Sequence, residues 1–342
     1  MGKRGKRSAS KKRKKPVFSG PIPDVFWGRL DAMFGEALAA EVRGTFVSRP
    51  TTFRVNPYVS SFEAVFALLD AEGFVCDTVS WDPPAYILRN KEKRDICDLS
   101  VYTDKMIYLQ SLASMVPPIV LDPKSGERVL DLTAAPGSKT SQMAIMMNKT
   151  GEIVANDKNK IRFFKLKHNM EEQGIVDSEQ EDWALRLRME PGTVLTEEYP
   201  EYFDKILLDA PCSSEARFIE GNPKTYGYWK ERKIHEMAYT QQKLLFAAWE
   251  ALKPGGTLVY STCTFAPEEN EMQISALVDR FDDAEVVPVE IEGFDRLPIV
   301  KEWNGESIRE EVQHCFRVQP TSDIEGFFIA KVRKVKRKGY FA

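Results

Sequence analysis

At 342 residues, 43% hydrophobic and 29% charged, the chain has the length of one large or two ordinary domains and a globular balance, which excludes disorder as its overall state. It has no apolar run long enough to span a membrane and no apolar segment behind its basic start to serve as a secretory signal; its five scattered cysteines form no CxxC pair, which argues against disulfides or zinc and for a reducing, cytoplasmic setting. The formal net charge of −3 hides an asymmetry: nine Lys/Arg lie between Lys3 and Lys15 and six between Lys331 and Lys338, with no acid among them, leaving 33 basic against 51 acidic residues elsewhere.

Residues 1–20 read as a basic, disordered arm, and residues 335–342 as a basic tail. Such arms suit a polyanion, through phosphate neutralisation and counterion release, and serve solubility or nuclear import equally well. Between them, residues 21–115 read as an α+β module: a helix over Asp24–Ala40, a strand over Thr51–Asn56, and a helix over Phe62–Glu72 stopped at Gly73. Pro117 and Pro118 precede a change of rhythm, so the boundary is placed near residue 115 and the catalytic domain over 116–334.

From Arg128 onward short apolar runs alternate with helical spacing. VLDL (129–132), IVAN (153–156), KILLDAP (205–211) and TLVYSTC (257–263) read as buried strands, with helices through Met147, over Lys158–Gln173, over Thr240–Leu252 and from about Pro267. EVVPVE (285–290) and GFFIAKVRK (326–334) suit closing strands. The pattern predicts an α/β fold with a mostly parallel, seven-stranded Rossmann-like sheet and helices on both faces.

DLTAAPGSKT, Asp131–Thr140, joins the first of these strands to its helix and presents backbone N–H groups at the carboxyl rim of the sheet. It is neither a P-loop nor a GxGxxG fingerprint, and no second glycine-rich loop exists to hold a pyrophosphate. Asp157, after the second strand, has the position of an acid that binds ribose hydroxyls, or of a cap on the helix that follows. Together they favour an adenosine-bearing cofactor without phosphates, namely S-adenosylmethionine.

Cys212 and Cys263 lie at the carboxyl ends of two such strands. Either alone reads as a small buried hydrophobe; together, beside Asp209 and the cofactor loop, they read as reactive thiols. Carbon 5 of cytosine is a poor nucleophile until a thiolate adds to carbon 6, and a second thiol can then help remove the carbon-5 proton and release the product. Asp209 reads as the group that meets the ring edge, and Lys139 as a cation to lower a thiol pKa. Phe218, Tyr226, Tyr228 and Trp229 read as base-stacking or as packing residues, and His168, His235 and His314 as structural.

DLTAAPGSKTSQMA, AND, ILLDAPCSS, ALKPGGTLVYSTCTFAPEENE and GFFIAKVRK resemble the successive motifs of the RsmF/Sun-type RNA cytosine carbon-5 methyltransferases, with FRVNPYVSS (53–61) and YLQSLASMVPP (108–118) similar to that family's N-terminal module and junction. The resemblance implies that Cys263 is the nucleophile and Cys212 assists release. It also implies that Thr133, Ala134, Ala135, Pro136, Gly137, Ser138 and Lys139 wrap S-adenosylmethionine, that Asp157 holds its ribose and that Asp209 lines the transfer site. Glu190 is the best match to an adenine-contacting acid, and Ser214 replaces a usual glycine. A C-terminal RNA-binding module of some relatives is not expected. The implied partner is structured RNA, ribosomal first and transfer RNA second. An assembly factor with the same fold is the rival reading. No membrane or metal partner is expected, and a nuclear location applies only in a eukaryotic host.

Overall fold

Residues 20–176 and 181–335 are described in a computed structural model. The N-terminal region carries four strands, β1 (Thr52–Val55), β2 (Cys76–Val79), β3 (Ala85–Leu88) and β4 (Ile107–Leu109), in an antiparallel sheet of order β2-β3-β1-β4. The helix Phe62–Ala71, capped by Ser61, lays Val65 and Leu69 against Phe53, Val55 and Tyr86 to form the core of this sheet.

The alternation from Arg128 becomes one large sheet. Its strands are β5 (Arg128–Asp131), β6 (Gly151–Asn156), β7 (Trp183–Arg188), β8 (Phe203–Asp209), β9 (Leu252–Thr262), β10 (Ala284–Val287) and β11 (Arg296–Leu297); a separate hairpin of β12 (Glu302–Trp303) and β13 (Glu306–Ser307) intervenes before β14 (Phe316–Val318) and β15 (Phe327–Lys334). Strands β7-β6-β5-β8-β9 are parallel, and β15 closes antiparallel to β9. The order reverses between β5 and β8, which places a crevice at their carboxyl ends. Side chains alternate along the strands: Val129, Ile153 and Leu207 pack under helices on one face, Leu130, Leu208 and Leu258 under the helices Glu231–Ala251 and Glu271–Arg280 on the other.

The sheet has nine strands where seven were expected. The eight-residue β15 is long enough to take two short partners end to end on its free edge, β14 at Phe327–Ile329 and β10 at Lys331–Lys334, and β11 then adds to β14. The basic run that begins at Lys331 is therefore half sheet. Arg333 pairs with Glu285, and the buried Lys334 donates to the carbonyls of Trp249 and Leu252. The arm before residue 20 and the basic residues after 335 lie outside the described residues.

Gly35, at φ +77°, splits the expected first helix into Asp24–Phe34 and Glu36–Arg43. These two helices bury Phe26, Leu30 and Val42 against Phe218, Tyr226, Trp229 and Phe265, so they buttress the loops after β8 and β9. The helix Leu112–Leu121 spans the junction read near residue 115, tolerates Pro117 and Pro118 and packs against Met143, Leu207 and Val259. No helix among the described residues is long and apolar enough to cross a membrane.

Candidate active site

The rim is built from the loops that leave β5, β6, β8 and β9. After β5 the chain turns through Leu132–Gly137 into the helix Ser138–Met146. Gly137 sits at φ +105°, and a Cβ there would lie 2.7 Å from Met170 Cε, so only glycine lets the turn close onto the next helix. Ala134 N–H donates to Asn156 O, Gly137 N–H to Ala134 O, and Thr140 Oγ1 to the buried Asp131 at 2.7 Å. Burial pushes the Asp131 carboxyl up to about 7.

A cavity of about 380 Å³ opens beside this turn, walled by Thr133, Asp157, Arg162, Gly192, Pro211 and Leu244. Asp157 is buried; its Oδ1 accepts from Asn159 N–H at 2.8 Å, while Oδ2 accepts no hydrogen bond and has only Arg162 Nη2 at 3.3 Å. The following helix is capped by Asn159, which accepts from Ile161 and Arg162, so Asp157 is free of the capping role weighed from sequence. A buried carboxylate oxygen that accepts no hydrogen bond from the described residues and has the Arg162 guanidinium beside it, on a residue lining a cavity at a sheet switch point, fits a ribose hydroxyl. Glu190 turns its carboxylate to Arg188 at 2.5 Å and gives its backbone to Asn156; the cavity wall there is Pro191–Thr193.

Of the loop residues expected around a cofactor, Thr133 borders this cavity, Ala134 and Ala135 are buried, and Pro136 and Ser138 line a second cavity of about 440 Å³ with Ser114, Arg217 and Glu325. Lys139 lies between the two. Its Nζ donates to Asp209 Oδ2 and to Ser114 Oγ, each at 2.7 Å. Asp209 Oδ1 accepts from Ser261 on the neighbouring strand, and its carbonyl from Thr133 Oγ1.

Because β8 and β9 are adjacent and parallel, Cys212 and Cys263 meet across the rim with their sulfurs 3.4 Å apart, beyond bonding distance and both free. Cys263 is 7% exposed. Its thiol is pulled down to about 6, first by the hydrogen bond from Cys212 and then by the Arg217 guanidinium, against burial and Asp209. The same contact, with burial, pushes Cys212 well up. The contact therefore favours ionisation of Cys263 over that of Cys212. Arg217, itself raised by Cys263, is the cation facing the thiolate, whereas Lys139, expected in that role, is bound to Asp209.

Buried acids tie the two thiol loops together. Glu269 Oε2 accepts from Ser213 N–H at 3.0 Å and Gln241 Nε2 at 2.8 Å, and Gln241 also donates to Pro211 O. Glu215 accepts from Thr264, Phe265 N–H and Trp229. Burial raises both carboxyls, Glu269 to about 8. Ser214 adopts φ +61°, the left-handed region that suits the glycine it replaces. Arg217, Glu215 and Glu269 escape sequence reasoning because only packing makes them neighbours of the thiols; the acid two residues after Ser213 and the run PEENE were the sole hints. Phe218, Tyr226 and Trp229 are packing residues, and Tyr228 is exposed. Among the described residues no group of His, Cys, Asp or Glu is arranged to hold a metal.

Residues 118–333 match the family model described as 16S rRNA methyltransferase RsmB/F. The chain is 36% identical over 287 residues to a tRNA (cytosine(49)-C(5))-methyltransferase of Pyrococcus abyssi, covering 84% of this chain and 88% of that protein. It is 33% identical to the ribosomal RNA small subunit methyltransferase F of Vibrio parahaemolyticus, covering 92% of this chain but 63% of that longer relative. A crystal structure of a methyltransferase homolog protein from Pyrococcus horikoshii superposes with a TM-score of 0.77 at 32% identity, covering 92% and 95% of the two chains.

Proposed function

The chain belongs to the 16S rRNA methyltransferase RsmB/F family, and on that premise we propose that it is an S-adenosylmethionine-dependent enzyme of the cytoplasm that forms 5-methylcytidine in structured RNA through a covalent bond between Cys263 and cytosine. The observation that carries this reading is the pair of free thiols 3.4 Å apart, beside a cavity that suits an adenosine. The cavity would hold the cofactor by Thr133, Asp157 and the Pro191–Thr193 turn. When bound, S-adenosylmethionine supplies an electrophilic methyl group to carbon 5 of the activated ring.

The target base must leave its stack to reach sulfur, and the second cavity, between Pro136, Ser138 and Arg217, is where it would enter. Cys263 Sγ, already ionised near neutral pH, bonds to carbon 6 and breaks the 5,6 double bond, sending an electron pair toward N3 and O2 of the ring. The Lys139 ammonium, fixed by Asp209 and Ser114, is placed to offset that charge; the Asp209 carboxylate orients it and can accept from the exocyclic amine. Once Cys263 has given its negative charge to the new bond, the acidity of Cys212 rises, because the thiolate that held its proton is gone. Cys212 can then give its proton to solvent, and its thiolate takes the carbon-5 proton; the C–H electron pair re-forms the 5,6 double bond and Cys263 leaves carbon 6 as the thiolate.

Ribosomal RNA is the first candidate substrate and transfer RNA the second; the similar proteins include one of each description. The test is transfer of labelled methyl from S-adenosylmethionine to separated ribosomal and transfer RNA, with the product digested to nucleosides. Label in 5-methylcytidine, lost on RNase treatment, supports the reading. Absence of label from both RNAs would favour the assembly-factor rival.

A further inference from the structure

We propose that the helix Lys160–Glu172, together with Lys158 just ahead of it, is an RNA-docking surface at the edge of the cofactor cavity, with Lys160 and Lys165 on backbone phosphates and Phe164 under an unpaired base. The proposal rests on the RNA-modifying reading above and assigns to it a binding face separate from the thiols and the terminal arms.

Three independent features converge there. The first is charge. Lys158, Lys160, Arg162, Lys165 and Lys167 occur with no acid from 158 to 170, in a chain whose residues outside the two basic terminal runs are predominantly acidic. Arg162 and Lys167 have carboxylate partners, but Lys158, Lys160 and Lys165 have none within 4.0 Å among the described residues. The second is exposed apolar surface in the midst of those cations. Ile161 is 73% exposed and Phe164 53%, although the buried face of the helix already has Leu166 and Met170 for its core contacts. Helical spacing sets Phe164 between Lys160 one turn before it and His168 one turn after, with Lys165 about a quarter-turn round the helix. A flat ring framed by ammonium groups matches a nucleotide, which offers a π-face and an adjoining phosphate. An acidic protein would match the cations but would not need the ring.

The third is place. The helix follows the carboxyl end of β6, so its first turns stand on the rim. Lys158 and Arg162 border the cofactor cavity, Arg162 Nη2 donates to Ala135 O, and Asn169 Nδ2 to Pro136 O at 2.7 Å. From its far end a groove of about 260 Å³ leads between His168 and the edge strand β4 to Lys93 and to Lys105, which is paired with Glu172. The side of the helix that carries Asn169 thus touches Pro136, which also borders the cavity proposed for the target base.

The experiment measures binding of the full chain to bulk transfer RNA and bulk ribosomal RNA across a salt series, for wild type, K160Q/K165Q, K160R/K165R and F164A. Affinity for S-adenosylmethionine and methyl transfer at saturating RNA are followed in parallel. Removing two phosphate contacts should weaken RNA binding about tenfold and lower the log–log salt slope by about 1.5. F164A should weaken binding about tenfold with the slope unchanged. The arginine variant should bind as wild type, and cofactor affinity and the rate at saturating RNA should stay put in all. Wild-type affinity and slope in K160Q/K165Q would overturn the proposal, including the case where the surface serves an acidic protein. A wild-type protein that binds RNA with these dependences but methylates neither sample would sink the enzymatic reading and leave the docking surface standing.

Discussion

The floor beneath the two thiols and the helix Lys160–Glu172 both border the loop Leu132–Gly137, and they treat charge in opposite ways. The floor is rich in carboxyls: Asp209 ends β8, and the buried Glu215 and Glu269 stand in the segments after Cys212 and Cys263, both pushed toward their neutral forms by burial. The helix is exposed and carries cations that the described residues leave partly unpaired. A floor of that kind cannot attract phosphate, and it does not need to. It keeps one thiolate in a dry site by a hydrogen bond from Cys212 and the charge of Arg217, while backbone charge is met outside. The lesson is a division between making a nucleophile and holding a polyanion, with the cofactor loop as the seam.

The contrast breaks most sharply at Cys263. Replacing it with Ala should lower methyl transfer by about four orders of magnitude, since it removes the thiol whose ionisation the site favours and leaves Cys212, whose thiol is pushed up. RNA affinity in a filter assay should stay within about threefold of wild type, because the phosphates are held elsewhere. A parallel loss of binding would merge the two regions into one. The ionisation of the same thiol sharpens the point. Its rate of alkylation by iodoacetamide should reach half-maximum at about pH 6, and replacing Arg217 with Gln should move that midpoint upward, because the thiolate loses a cation.

At the seam, Asp157→Ala removes a buried acceptor from the cavity wall. Calorimetry should show S-adenosylmethionine bound about tenfold to a hundredfold more weakly, the worth of one or two charge-assisted hydrogen bonds. The smallest effect concerns Glu269. Its folded-state pKa of about 8 lies above the ordinary 4.5, so the folded chain holds a proton that the unfolded chain releases. Its contribution to stability is fully present below about pH 4.5 and is lost as the pH rises through 8. Thermal melts of Glu269→Gln should therefore decline less than wild type between pH 6 and 8.5; an unchanged slope would mean that Glu269 is ionised in the fold.

The sequence made the parallel strands legible because short apolar runs ended in small-residue turns, and Cys212 and Cys263 followed from their places at two strand ends. The adjacency of β8 and β9, on which the contact between the thiols depends, needed the sheet order. At the closing edge β10 was legible in EVVPVE, but β11 and β14 are two and three residues long and too short to leave a pattern. Arg217 was passed over for Lys139 since both sit near motif residues, and only the pairing of Lys139 with Asp209 separates them. The helices Asp24–Phe34 and Glu36–Arg43 read as part of the N-terminal module because proximity in sequence says nothing of Phe218 and Trp229 far along the chain.

The division of labour between the thiols is tested most directly by mixing Cys212→Ala protein with RNA and S-adenosylmethionine and running the product on a denaturing gel. An accumulating protein–RNA band that disappears in Cys212→Ala/Cys263→Ala is the predicted result. No band with Cys212→Ala, or a band that survives loss of Cys263, would contradict it.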